Sequence, residues 1–239
     1  MPVTVEETPW LAQGEEKRRV VRDMFADIAP RYDLLNGLMS LGLHHRWRTF
    51  AARQLQLRPG MKALDLCSGT GDFIPVLRSM VGSSGEVIGA DFCRPMLDVS
   101  ATKNVETALT VADAGALPFG SEQFDGVTVG WGIRNVPDMD LAHREIARVL
   151  RSGGRFASID MARPRNGVVC AVSTFVSTTV LPMLGSLFGK SKAYTYLPES
   201  TKRFADREAI KRSMEAAGLH DVQYRDLFFG TICVHWGQK

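Results

Sequence analysis

The sequence predicts an α/β fold, a doubly wound and mostly parallel sheet with an N-terminal helical region and a helical lid insertion. Three observations predict it. From Ala63 onward, short apolar runs alternate with segments of helical period. A glycine-containing turn, Cys67-Ser68-Gly69-Thr70-Gly71-Asp72, separates the first run from the first of those helices. Late in the chain the alternation is interrupted by Val168–Gly189, a stretch without a charged residue.

The elements follow in order. Between Glu15 and Ala29 the residues Val20, Val21, Met24, Phe25 and Ile28 form one helical stripe, stopped by Pro30. A second helix covers His44–Leu55, and Arg58-Pro59-Gly60 closes the region with turn chemistry. Strands are expected at Ala63–Leu66, Val87–Ala90, Leu109–Ala112, Phe124–Val129 and Arg155–Ile159, with helices at Phe73–Met80, Pro95–Thr102 and Asp140–Leu150. Strands joined by helical crossovers make a parallel sheet covered on both faces. The apolar residues of Val168–Gly189 are spaced as one or two amphipathic helices broken near Pro182, either packed on the core or covering an apolar pocket. Last come a helix at Asp206–Ala217, ended by Gly218, and an antiparallel pair within Val222–Trp236 turning near Gly230. The whole chain, 1–239, reads as one domain: a helical lid region 15–58, a cofactor-binding core 60–163, an acceptor-side insertion 164–203 and a C-terminal helix and strands 204–239.

Composition bounds the function. A chain of 239 residues buries about 70–75% of its unfolded surface and needs neither disulfides nor a structural metal. With 45% hydrophobic and 23% charged residues it is an ordinary globular sequence. A net charge of +3 is too small to indicate nucleic acid, and Lys17-Arg18-Arg19 and Lys202-Arg203 read as solvated helix faces. The four cysteines lie far apart with no histidine at ligand spacing, so no metal site is expected and a reducing, cytoplasmic setting is. The acidic N-terminus does not resemble a secretory signal.

The glycine turn carries the cofactor chemistry. Gly69 and Gly71, with Thr70 between them, let the backbone pass close beneath a ligand at the carboxyl end of a central strand. A dinucleotide site would require a third glycine at the right offset, which is missing, and Asp65 would oppose a pyrophosphate. A ligand carrying an ammonium and a sulfonium is instead favoured by that carboxylate, which points to S-adenosylmethionine. Asp91, about twenty residues beyond the glycines, is placed to accept both ribose hydroxyls. Asp113 with Ala114, after the third strand, is placed for the adenine amino group. Each acid alone reads equally as a cap or a solvated loop residue; three at successive strand ends beside the glycine turn make the case.

These residues, with Gly89-Ala90-Asp91 and Leu117-Pro118-Phe119, resemble class I S-adenosylmethionine-dependent methyltransferases. The resemblance implies a Rossmann-like, seven-stranded sheet whose last pair is antiparallel. A narrower resemblance spans nearly the whole chain, to the menaquinone and ubiquinone biosynthesis C-methyltransferase family. It is carried by Tyr32-Asp33-Leu34-Leu35-Asn36-Gly37-Leu38-Met39-Ser40 through His44 to Trp47, by Gly132-Ile133-Arg134-Asn135-Val136, by Arg148–Gly154, and by Tyr194-x-Tyr196-Leu197-Pro198-Glu199-Ser200. Departures are Leu35 for a frequent Met, Ser152 for a usual Pro, Cys67-Ser68 for small residues, and Gly130 where a Ser often contacts the cofactor, leaving residue 130 only its backbone.

The family methylates a ring carbon of a prenylated quinol. A phenol has a reference pKa of about 10, so the site must favour its phenolate, at about 1.4 kcal/mol per unit. Arg134 is the expected cation and Asn135 the group that orients the ring oxygen. Tyr32, Asp33 and His44 are the base candidates, each equally able to hold the N-terminal segment in place; His45, His143, His220 and His235 read as structural or exposed. A prenyl tail implies peripheral contact with the inner face of a membrane. A homo-oligomer is compatible with the sequence. An amino-methylating nucleic-acid enzyme fits poorly, because Gly130-Trp131-Gly132 stands where a Pro-Pro-aromatic signature belongs. A methyltransferase of another lipophilic molecule and a non-catalytic cofactor-binding regulator are the alternatives.

Overall fold

The computed structural model describes residues 9–103, 107–180 and 191–239. Seven strands form one sheet in the order β3-β2-β1-β4-β5-β7-β6. They are β1 Lys62–Leu66, β2 Glu86–Asp91, β3 Ala108–Val111, β4 Phe124–Gly130, β5 Leu150–Met161, β6 His220–Leu227 and β7 Ile232–Gln238. The first five are parallel neighbours, and β7 runs antiparallel to both β5 and β6. The order reverses at β1, so the carboxyl ends of β1, β2 and β4 flank the crevice where such sheets bind ligands.

Side-chain alternation explains the layers. Leu64, Leu66, Val127 and Val129 face one side with Ile146 and Val149 of α6 (Met139–Val149). Ile210 and Met214 of α9 (Arg207–Ala216) join them. Ala63, Ala157 and Ile159 face the other side, against Ala51 and Ala52 of α3 (His44–Arg53) and Ile74, Leu77 and Val81 of α4 (Ile74–Val81). α5 (Arg94–Thr102) packs on β2 and β3, α1 (Gly14–Ile28) packs on α5, and α2 (Tyr32–Ser40) adjoins α3.

Four elements depart from the expectation. α2 was concealed by Asn36-Gly37, poor helix formers at its centre. α8 (Ser191–Arg203) contains Pro198, a residue that ordinarily ends a helix. Leu150 opens β5 rather than closing α6, because Gly153 and Gly154 exchange backbone hydrogen bonds of 2.8 Å with Lys239 and so extend the strand. α7 (Gly167–Phe175) buries none of its residues, so its apolar stripe packs on nothing among the described residues. The expected break near Pro182 lies outside the described residues.

Candidate active site

β1 delivers the chain into the glycine turn in a left-handed conformation, with Cys67 at φ +55°, Gly69 at +53° and Gly71 at +83°. At Gly71 a Cβ would also collide with the Ser100 hydroxyl, so glycine is required twice over. The turn is closed by Asp91 at the end of β2, whose Oδ2 accepts the Gly69 N–H and whose Oδ1 accepts the Cys93 N–H, each at 2.8 Å. Burial pushes the Asp91 carboxyl up to about 6, against the pull of those N–H groups. Asp65 is 1% exposed, and burial pushes it up to about 8 although the Thr128 hydroxyl donates to its Oδ1 at 3.0 Å. Its Oδ2 is buried without a partner.

These strand ends border a cleft. Gly69, Asp91, Phe92 and Met96 line one side, and Asp113 and Ala114 the next. Gly130, Trp131, Gly132 and Asn135 line the third, while Arg18, Phe25 and Tyr32 cover the cleft from the N-terminal region. Asp113 Oδ1 accepts the Gly115 N–H at 2.7 Å, and its Oδ2 lies 2.8 Å from Arg18 Nε as an ion pair. A Cβ at residue 130 would stand 2.7 Å from the Phe73 ring, so a side chain there would require the ring to shift.

Several expected site residues lie behind the cleft instead. Thr70 donates its hydroxyl to Asp33 at 2.5 Å, turning toward the N-terminal segment. Asp33 pairs with Lys103 at 2.7 Å, Lys103 with Asp72 at 2.9 Å, and Asp72 with Arg48 at 3.0 Å. The Arg48 guanidinium lies 4.6 Å from the Trp131 ring centroid, a cation–π contact onto the cleft wall. His44 contacts Arg48, and burial, followed by the Arg48 charge, lowers its pKa to about 4. Asp33 and His44 therefore tie α2 and α3 to the cofactor turn, and neither lines the cleft. Tyr32 does line it, but burial raises its phenol, making it a donor and not a base.

On the remaining wall Arg134 is not a free cation. Its Nη1 meets Asp160 Oδ1 at 2.5 Å and donates to Trp131 O at 3.1 Å, and its backbone N–H donates to Asp160 Oδ2 at 3.2 Å. Burial works against its charge, yet Asp160 holds the guanidinium firmly protonated. Its Nε is buried without a partner. Asn135 is oriented from both ends: its Nδ2 donates to Trp131 O at 3.0 Å, and Tyr196 donates to its Oδ1 at 3.0 Å. Lys17 reaches in to the carbonyls of Val136 (2.7 Å) and Arg134 (3.2 Å), and burial lowers its pKa. Lys17 and Arg18 thus turn inward, which corrects their reading as a solvated face.

Arg48, Asp160, Tyr196 and Lys17 are the residues that sequence reasoning missed. Asp160, at the end of β5, obeyed the same strand-tip signal as the three acids; Tyr196 stood in a family motif without a role. The donor set suits a cation: two buried carboxyls without an ion pair among the described residues, one with an orphaned oxygen, stand below or beside a cleft framed by a glycine cradle. The residues expected to meet the cofactor divide accordingly. Gly69, Asp91, Asp113, Ala114 and Gly130 line the cleft, whereas Asp65, Thr70 and Gly71 shape or charge it from behind. Among the described residues no group of His, Cys, Asp and Glu is arranged to hold a metal ion.

The sequence profile of the ubiE/COQ5 methyltransferase family matches residues 12–239. A ubiquinone/menaquinone biosynthesis C-methyltransferase, UbiE, of Hahella chejuensis is 39% identical over 94% of this chain and 93% of its own. The demethylmenaquinone methyltransferase of Staphylococcus saprophyticus is 37% identical over 96% of this chain and 100% of its own. In fold, the chain is similar to an S-adenosylmethionine-dependent methyltransferase from Thermotoga maritima, with TM-score 0.61 and 18% identity over 91% of this chain and 99% of that one. Another such enzyme, from Aquifex aeolicus, gives TM-score 0.56 and 18% identity over 78% and 86%.

Proposed function

The chain belongs to the ubiE/COQ5 methyltransferase family, and we propose that it methylates a ring carbon of a prenylated quinol with S-adenosylmethionine, its preferred acceptor being a demethylmenaquinol. When bound, S-adenosylmethionine supplies a methyl group made electrophilic by its sulfonium. The observation that carries the reading is the pair of buried carboxyls, Asp65 and Asp91, at and beneath a cleft, neither in an ion pair among the described residues although the Arg48 charge reaches Asp65. Asp91 would accept the ribose hydroxyls with the lone pairs its two N–H donors leave free. Asp65, protonated at neutral pH in the ligand-free protein, would ionise beneath the turn when the cationic ligand binds, and Asp113 with Ala114 would border the adenine end.

The acceptor must be held as its phenolate in line with the methyl, about 3–3.5 Å away. Arg134 acts on it through its field. Burial dominates at both phenols, yet after Arg48 its charge favours the ionised form of Tyr32 in the cleft, and it favours that of Tyr196 beyond Asn135, where Asp160 opposes it. A substrate phenol beside Tyr32 would feel the same attraction without the salt bridge to Asp160 opening. Tyr32, kept protonated by burial, and the second N–H of Asn135 are the donors we assign to the ring oxygen. We read the chain as one domain acting in the cytoplasm and visiting the inner face of the membrane, where a prenyl tail partitions.

The test is a competition. Purified protein, the methyl donor and equal amounts of short-chain demethylmenaquinol and the corresponding benzoquinol are incubated, and products are separated by mass spectrometry. Carbon-methylated naphthoquinol in excess is expected. Oxygen-methylated products alone, or none from either ring, would reject the assignment.

A further inference from the structure

The carboxyl edge of the sheet carries an apolar rim that the described chain does not cover. At the β6–β7 turn, Phe228 and Phe229 both occupy the left-handed region, at φ +43° and +57°. A bulky residue held there costs of order 1–3 kcal/mol, and such strain gathers at functional sites. Here the strained backbone holds Phe229 in solvent, 77% exposed, with the neighbouring Phe228 ring 5.6 Å away between centroids. The turn is also rigid. The buried Arg207 guanidinium donates to the Gly230 carbonyl at 3.0 Å, to the Arg163 carbonyl at 2.9 Å and to Asp226 at 2.5 Å.

Two helix faces extend the rim. The Phe228 ring meets Trp47 of α3 at a tilt of 52°, centroids 5.5 Å apart, and α3 adjoins α2, whose Leu34, Leu38 and the following Leu41 are 58%, 56% and 83% exposed at helical spacing. On the other side Ala162 donates to the Thr231 carbonyl at 2.8 Å. A few residues later α7 presents Val168, Val172 and Phe175 at 74%, 58% and 60% exposure, again one stripe.

Charge selects the partner. The three segments, 34–50, 162–176 and 228–232, contain no carboxylate, while Arg46, Arg163 and Arg165 are exposed within them. Two copies of the chain meeting through this rim would place arginine against arginine. An anionic surface answers both the apolar stripe and the cations. We propose that the Phe228–Phe229 turn, flanked by the outer faces of α2 and α7, docks onto the interfacial region of an anionic phospholipid bilayer. Phe229 enters the acyl boundary and the arginines meet headgroup phosphates. This rests on the quinol reading above in so far as docking serves to collect an acceptor with a lipid-dissolved tail. Among the described residues no helix is long and apolar enough to cross a membrane, so the contact is superficial.

The experiment is vesicle flotation of the full chain with phosphatidylglycerol/phosphatidylcholine liposomes, using wild type, Phe229→Ser and Leu41→Ser. Wild type should float with anionic vesicles and stay behind with phosphatidylcholine alone. Phe229→Ser should lower partitioning about tenfold, the effect of removing one buried aromatic side chain, and Leu41→Ser should lower it in the same direction. Phe229→Ser should also methylate a short-chain, water-soluble demethylmenaquinol at the wild-type rate yet fail with a long-chain acceptor embedded in vesicles. Wild type that does not float, Phe229→Ser that floats as well as wild type, or a wild-type dimer in solution that Phe229→Ser dissociates without any vesicle binding would each overturn the docking surface. Wild type that floats but methylates no quinol would uphold the surface and remove the acceptor reading.

Discussion

Arg134 and Asp160 face one another at 2.5 Å across the wall of the cleft, each with its side chain 7% exposed. Removing one partner of such a pair leaves an uncompensated buried charge, which costs about 3–5 kcal/mol. Asp160→Ala should therefore lose that much unfolding free energy in urea. Arg134→Met/Asp160→Met should lose much less than the two single changes together. Arg134→Ala should keep its affinity for the methyl donor, because Arg134 is not among the cleft-lining residues, while turnover falls about a hundredfold, as on loss of a charge-stabilising donor. Equal losses of affinity and turnover would remove the field role from Arg134.

Asp91→Ala should weaken donor binding severely. Two hydrogen bonds to a charged group are worth about 1.5–3 kcal/mol each, so calorimetry should show a loss of at least a hundredfold. Because the same carboxylate holds the Gly69 and Cys93 N–H groups, thermal stability should fall too. Asp91→Asn should recover some of the stability and little of the affinity.

Binding should release protons. Asp65 is raised to about 8 and Asp91 to about 6, both by burial. A carboxyl with a raised folded pKa stabilises the native state while protonated, and that contribution is lost as pH rises through the folded value. The ligand-free protein should thus lose stability through Asp65 as pH rises from its ordinary value of 3.8 to about 8, and level off above that. A cationic ligand favours the ionised form and reverses the sign, so its affinity should climb with pH over the same window. At pH 7, titration calorimetry in two buffers of different ionisation enthalpy should report up to one proton released, and none in Asp65→Asn. Identical heats in both buffers with wild type would contradict this.

The Phe73 ring occupies the space of a side chain at residue 130. Gly130→Ser should cost about 1–3 kcal/mol by overpacking. Combined with Phe73→Ala, the same serine should cost less, and a double-mutant cycle in urea would measure the coupling.

How far the sequence spoke depended on the range of the interaction involved. β1, β2 and β4 were legible because a buried parallel strand is a short apolar run, and Asp65, Asp91 and Asp113 because a strand tip has a fixed place after such a run. α2 and α8 were hidden by Gly37 and Pro198, residues whose local preference tertiary packing overrode. Lys17 and Arg18 were misread because a charge run on a helix does not say which face meets a cleft. The Asp160 partner of Arg134 lies 26 residues away, and no local pattern records it. His44 illustrates the same limit: its identity was plain, its burial beside Arg48 was not.

The Arg18–Asp113 ion pair has a kinetic consequence. It fastens α1 over the part of the cleft proposed above for the adenine, so on that placement exchange of spent for fresh donor past that helix would first have to pull these opposite charges apart. Both are about a third exposed and hence within reach of counterions. Ionic strength would thereby enter the proposed turnover cycle at the changing of the donor, with background salt a lubricant of product escape.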